Sequence, residues 1–189
     1  MRRFEKPLTV VNLDRIQLLI DSGRIDANQL ITLKTLRDCG IRPIKHGVLI
    51  AERGAAALES SCKIVATQFT QRAIERIEET GGKAVAMHIT KLGLRSMFVP
   101  HRIVGTADKP TGKRLPRFAS PVKERDRLYY FSKRNRGYLH PEMQQMIQSD
   151  EQLKEFFKRA VIIPPREGIF EKIAELEEQK MEETHGFNY

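Results

Sequence analysis

The residues best equipped for chemistry in this sequence are cations and aromatic rings. Positions 129–138 read Tyr129, Tyr130, Phe131, Ser132, Lys133, Arg134, Asn135, Arg136, Gly137 and Tyr138. Lys and Arg neutralise phosphates and release their counterions. Tyr stacks on an unpaired base, and Arg stacks or makes paired hydrogen bonds. The competing reading of the same stretch is a solvated charged loop with its rings tucked against the domain. The excess of Lys and Arg around it favours contact with a nucleic acid.

The enzymatic candidates are weaker. His46, His88, His101, His140 and His185 fall in no HExxH pattern and lie near no cysteine pair at zinc spacing. Cys39 and Cys62 are too far apart and unaccompanied for a structural zinc site. Cys62 stands at the start of an apolar run, where a small core residue is the natural reading. Glu75, Glu78 and Glu79 alternate with Arg72 and Arg76, as on a salt-bridged wet helix face. No Walker loop or GxGxxG is present, and Gly81-Gly82 follows a helix instead of opening one. We therefore expect no catalytic residue, no metal and no cofactor.

Charge points the same way. The chain has 189 residues, a formal net charge of +9 and a pI near 9.7. Residues 1–90 carry 14 Lys and Arg against 10 Asp and Glu, residues 91–138 carry 13 against 3, and residues 139–189 carry 6 against 11. A near-neutral part is thus followed by a basic strap and an acidic tail, an asymmetry that suits a polyanionic partner. Two cysteines make no disulfide framework and fit an intracellular, reducing compartment. No apolar run is long enough to span a bilayer, and no secretory signal is evident.

The elements that must position these groups follow from periodicity. Residues 62–89 read as strand, helix, strand. Val65, Thr67 and Phe69 alternate with Ile64 and Ala66; Thr70 caps a helix whose inner face is Ala73, Ile74 and Ile77; Gly81 ends it. Before that, Asn12 caps a helix with Leu13, Ile16, Leu19 and Ile20 inward and Gly23 as its stop. Thr32 caps a second, with Leu33 and Leu36 inward and Gly40 at its end. Residues 47–51 suit a buried strand, and residues 55–61 a loop or weak helix. Residues 92–105 are expected to add a strand through Met97, Phe98 and Val99. The Pro- and cation-rich stretch after it buries too little to order alone, so it is expected to stay extended until it meets a partner. Pro141 opens a helix, Asp150 caps another with Leu153, Phe156 and Phe157, and residues 167–183 form a final acidic helix with an Ile169, Ile173, Leu176 stripe.

The blocks VNLDRIQLLIDSGRID, ITLKTLRDCGI, HGVLIAERG and ATQFTQRAIERIEETGGKAVA resemble, in order and spacing, the large-subunit ribosomal protein fifteen family. LGLRSMFVPHR and YYFSKRNRGYL resemble its mitochondrial branch, and the likeness covers residues 10–139. It implies an RNA-bound structural protein with no catalytic residues, partnered by large-subunit ribosomal RNA in the mitochondrial matrix. Family members open with a Gly-, Lys- and Arg-rich arm that is not matched near Met1, which leaves more of the expected anchoring to the strap.

The combined expectation is an α/β protein: a small sheet with short helices packed against it, an extended basic segment, then C-terminal helices. Residues 1–7 form a basic tail, 8–90 the globular domain, 91–138 the RNA-binding segment and 139–189 an acidic helical extension. Lys91, Arg95, Arg102, Lys113, Arg114, Arg117, Lys133, Arg134 and Arg136 are the expected RNA contacts. Tyr138 is a stacker, and Lys63 and Arg72 are weaker candidates. The Ile169, Ile173, Leu176 stripe either meets a neighbouring ribosomal protein or folds back on its own domain. An RNA-modifying enzyme with the strap as substrate guide, or a free RNA-binding regulator, are the alternatives.

Overall fold

The architecture comes from a computed structural model, which describes residues 7–105, 109 and 111–185, with side chains up to residue 179. Nearly all of the expected N-terminal tail, residues 1–6, lies outside the described residues.

The first half alternates strand and helix: β1 (Thr9–Asn12), α1 (Leu13–Asp21), β2 (Leu30–Ile31), α2 (Leu33–Asp38), β3 (Val48–Ala51), a 3-10 turn (Ala55–Ala57), β4 (Lys63–Ala66), β5 (Gln68–Phe69), α3 (Gln71–Glu79) and β6 (Lys83–Ala86). The strands form two three-stranded parallel sheets, ordered β1-β3-β5 and β2-β4-β6. Parallel neighbours need crossovers, which the short helices supply. The expected α/β layout is present, but with two sheets in place of one. The division falls at Thr67, between β4 and β5. Its backbone N–H donates to the Val48 carbonyl and its hydroxyl accepts from the Val48 N–H, each at 3.1 Å, so one residue's side chain stands in for a ladder bond. Gly47 is the consequence: it sits at φ +132°, and a Cβ there would lie 2.1 Å from the Thr67 hydroxyl.

The strands are covered on both faces. Ile64, Val65, Ala66, Ala84, Val85, Ala86 and Met87 are all buried, so the alternation expected for residues 62–69 is replaced by continuous burial. Helix starts follow the expected signals. Thr32 makes a full capping box with Thr35. Asn12 and Thr70 occupy N-cap positions without a side-chain cap bond, and the Thr70 hydroxyl is buried without a hydrogen-bond partner. Arg76, expected on the wet face of α3, instead donates to the Ala55 and Leu58 carbonyls at 2.9 and 2.8 Å and holds the 3-10 turn in place.

The second half departs most from expectation. Residues 92–105 form helices α4 (Lys91–Phe98) and α5 (His101–Val104), not a strand. The Thr90 hydroxyl accepts from the Gly93 N–H and starts α4, while Leu94 and Met97, three apart, point inward at helical spacing. The basic segment is not uniformly extended either. Helix α6 (Glu124–Phe131) lies within it, and Tyr130, Phe131, Tyr138 and Leu139 belong to the core. Helices α7 (Pro141–Ser149), α8 (Glu151–Phe157) and α9 (Ile169–His185) complete the chain. Ile169 and Ile173 are buried and α9 packs on α6, so these two residues fold back on their own domain. Leu176 stays exposed. The surface expected for a protein neighbour is therefore reduced to Leu176 and the half-exposed Phe170.

Candidate nucleic-acid interface

Helix α4 turns Gly93, Leu94, Ser96 and Met97 inward and leaves Lys91 and Arg95 exposed one turn apart. Arg102 is exposed on α5. Lys113, Arg114 and Arg117 are exposed in the stretch of residues 111–118, which has no helix or strand but is fixed at both ends. At its start, the Thr111 N–H and hydroxyl donate to the Val104 and Ile103 carbonyls at 2.9 and 2.6 Å. At its end, Phe118 is buried, donates its N–H to the Arg159 carbonyl at 2.8 Å and accepts from the Val161 N–H at 3.1 Å. The loop is therefore slung between two anchors, with three cations facing out.

The expected contact residues split by their electrostatic state. Among the described residues, Lys91, Arg95, Arg102, Lys113, Arg114, Arg117 and Arg134 form no ion pair with a carboxylate. Residues 91–123 hold eight Lys and Arg and a single acid, Asp108, so little opposes their field. The remaining candidates are engaged by the protein itself. Lys63, together with Lys83, reaches the same oxygen of Asp150, at 2.8 and 2.9 Å. Arg72 lies 3.7 Å from Glu52, and Lys133 lies 2.5 Å from Glu142. Arg136 grips both carboxylate oxygens of Glu78, at 2.7 Å for Nη2, and also donates to the Lys133 carbonyl.

Asp150 shows what such engagement does. It occupies the N-cap of α8, as expected, yet makes no cap bond, because its carboxylate is turned to the two lysines. Burial alone would raise its pKa; hydrogen bonds from the two ammonium groups outweigh that and hold it near 2.

The aromatic half of the 129–138 motif is structural, which corrects the expected role of Tyr138. Its ring is buried, stacked on Phe157 with centroids 5.9 Å apart, and offers no platform to a base. The Tyr130 hydroxyl donates to the Thr67 carbonyl at 3.1 Å, and Tyr129 accepts from the Phe69 N–H at 3.4 Å. Burial raises the pKa of all three phenols. The chain returns beside β6, where Ala86 accepts from the Tyr138 N–H and donates to the Arg136 carbonyl, so this stretch covers an open sheet edge. Of the motif's cations only Arg134 is both exposed and without an acidic partner among the described residues. Cys62 is buried, and burial pushes its thiol to about 11, which suits a core residue and not a nucleophile.

Sequence reasoning missed Arg159 and Arg37. Arg159 lies 4.7 Å over the Phe118 ring, and Arg37 of α2 lies 4.5 Å over Phe98 at the end of α4. Neither has a periodicity or motif to announce it, since each pairs with a ring distant in sequence. A surface groove of about 430 Å³ between Leu30 and Phe156 carries one carboxylate, Glu155, and neither histidine nor cysteine. Among the described residues no group of three or more His, Cys, Asp or Glu is placed to hold a metal ion, and no helix is long and apolar enough to cross a membrane.

Comparison with known proteins follows the same geometry. The family described as ribosomal proteins 50S-L15, 50S-L18e and 60S-L27A matches residues 10–85, which comprise both sheets but not the cationic surface. Large ribosomal subunit protein uL15m of Schizosaccharomyces pombe is 33% identical over 136 residues, covering 71% of this chain and 50% of that protein. The uL15m of Neurospora crassa is 28% identical over 156 residues, covering 74% and 50%. The uL15 of Brucella ovis is 36% identical over 80 residues, covering 42% and 50%. The likeness to the two mitochondrial-type proteins thus runs beyond the sheets, and the chain spans about half the length of these relatives. By the sheets at residues 10–85 and by this longer likeness, the chain is similar to the uL15 family of ribosomal proteins, and over the longer stretch to its uL15m members.

Proposed function

We propose that this protein is a structural constituent of the large ribosomal subunit of mitochondria, located in the matrix, where it binds and stabilises large-subunit ribosomal RNA. The observation that carries the reading is the run of exposed cations that have no acidic partner among the described residues, Lys91, Arg95, Arg102, Lys113, Arg114 and Arg117, on a surface that the fold holds in place. The names of the relatives support the same assignment. The protein acts by position and charge: the sheets supply a rigid body, and the cations replace counterions along the RNA backbone. No bond is made or broken. Arg134 extends the surface, while Lys63, Arg72, Lys133 and Arg136 contribute less because each already has a carboxylate. The exposed acids of α9 face away from RNA, towards solvent or a basic ribosomal protein, with Phe170 and Leu176 as the apolar contacts.

The test is the salt dependence of binding to a large-subunit ribosomal RNA transcript. Replacing Lys113, Arg114 and Arg117 together with Gln should flatten the slope of log K against log salt by about two to three. An unchanged slope would contradict the assignment. Catalytic turnover of RNA by the purified protein would point to a modifying enzyme instead.

A further inference from the structure

Arg159 belongs to the acidic C-terminal extension, yet it sits where the basic loop meets α4. Its Nη2 donates to the Ser96 hydroxyl on α4 and to the Pro116 carbonyl of the loop, both at 3.1 Å. Ser96 is buried, and its own hydroxyl donates back to the Gly93 carbonyl at 2.8 Å, so it is oriented to accept. The Arg159 guanidinium also covers one ring, Phe118, which stacks on Phe156 at 5.8 Å. Phe118 in turn fits against α4 at Gly93, where a Cβ would come within 3.3 Å of its ring. On either side of Ala160 the backbone of residues 159–161 brackets Phe118 through two hydrogen bonds.

This arrangement is costly for mere packing. Among the described residues no acid pairs with Arg159, burial lowers its pKa, and its Nε is buried without a partner. A methionine would cover Phe118 without leaving a buried N–H unsatisfied. What a planar guanidinium adds is a flat face over Phe118 together with a nitrogen that ties a helix to a loop, a combination that the compact ammonium of a lysine does not match. Each of the two tied elements carries cations outward: Lys91 and Arg95 on α4, Lys113, Arg114 and Arg117 on the loop.

We propose that Arg159 is a positioning residue that registers the loop of residues 113–117 against α4, so that two sets of cations meet RNA as one preformed surface. Much of the ordering entropy of the loop is then lost on folding and not on binding. The inference rests on the reading of that surface as RNA-facing, and the experiment separates the two.

Arg159→Gln, Arg159→Lys and Ser96→Ala are compared with the parent by limited trypsin digestion without RNA, and by binding to a large-subunit ribosomal RNA transcript across a salt series. Thermal unfolding is followed in parallel. Ser96→Ala leaves the charge intact and serves if an Arg159 variant fails to fold. The expected result is new cleavage after Arg117, unchanged cleavage after Arg53, and affinity lowered about fivefold, the equivalent of one hydrogen bond. The salt slope should stay the same, and Lys should not rescue. If Arg117 stays as protected as in the parent, the clamp is refuted. If the slope falls by about one and Lys restores binding, Arg159 touches phosphate directly and the positioning role is refuted. If cleavage spreads but affinity holds, the clamp exists and the RNA-facing reading of residues 113–117 is the part that fails.

Discussion

Asp150, between the ammonium groups of Lys63 and Lys83, is the residue whose chemistry the fold changes most plainly. Its folded pKa, about 2, lies below the 3.8 usual for an aspartate. A depressed carboxylate stabilises the protein fully above its unfolded pKa, and that contribution is lost as pH falls from about 4 towards 2. After allowance for solvent at two lysines that are about one-third exposed, the contribution is about 1–2 kcal/mol. Denaturant unfolding at pH 7 and pH 2.5 should show that loss in the parent, and Asp150→Asn should narrow the difference between the two by about the same amount. Gly137 makes a second residue-scale prediction. A Cβ there would lie 2.1 Å from the Tyr130 carbonyl oxygen, with backbone on every near side. Gly137→Ala should therefore destabilise by more than about 2 kcal/mol, measured by urea unfolding, because a rigid backbone has to move. At this scale the sequence was legible for the apolar and capping residues, such as Ile77 and Thr32, whose roles are set by their neighbours in the chain. It was not legible for Tyr130 and Tyr138. A tyrosine in a cationic stretch satisfies the pattern of a base-stacking platform and of a core residue equally. Only the distant carbonyl of Thr67 and ring of Phe157 decide between them.

At the scale of elements, residues 91–138 are the instructive case. Local composition predicts an extended ribbon, because prolines and cations bury little. Tertiary context overrides this at both ends, with α4 seated on Phe118 and α6 seated under α9. What remains without helix or strand among the described residues is chiefly 111–123. Trypsin should therefore cut the RNA-free protein first after Lys113 and Arg114, and spare the stretch from α6 to Tyr138. Early cleavage throughout residues 125–136 would contradict the packing of α6 and the edge of β6. Helix α9 makes a parallel case. Ile169 and Ile173 are buried against the domain. Replacing both with Ala should cost about 2–4 kcal/mol of stability, discounted from full-burial values because each site stays slightly open. An unchanged urea midpoint would place α9 off the domain. The stripe itself was readable in the sequence. Whether it faced this chain or another was not, since three apolar positions on an acidic helix suit either surface.

Across the whole molecule, charge and fold are divided between regions. The matched family segment, residues 10–85, builds the sheets, and the densest run of exposed cations, eight Lys and Arg against one acid over residues 91–123, lies after it. The acidic extension then returns across the basic half: α7 and α8 bring Glu142 and Asp150 to Lys133, Lys63 and Lys83, and residues 159–161 hold the loop at Phe118. The gross charge asymmetry was plain in the sequence. Its consequence was not, because pairing between halves far apart in sequence leaves no periodic trace. The account therefore places the working cations on α4, α5 and the loop of residues 113–117, and not on the 133–136 turn. Gln replacement of Lys133, Arg134 and Arg136 should flatten the salt slope by only about one, chiefly through Arg134. A loss of two to three units there would restore the turn as a principal contact.

The most direct measurement is sedimentation of the native protein from lysed mitochondria through a high-salt sucrose gradient. The account predicts that it travels with the large ribosomal subunit and leaves that fraction once the RNA is digested. A protein that stays at the top of the gradient in intact lysate, or that sediments unchanged after nuclease, would contradict it.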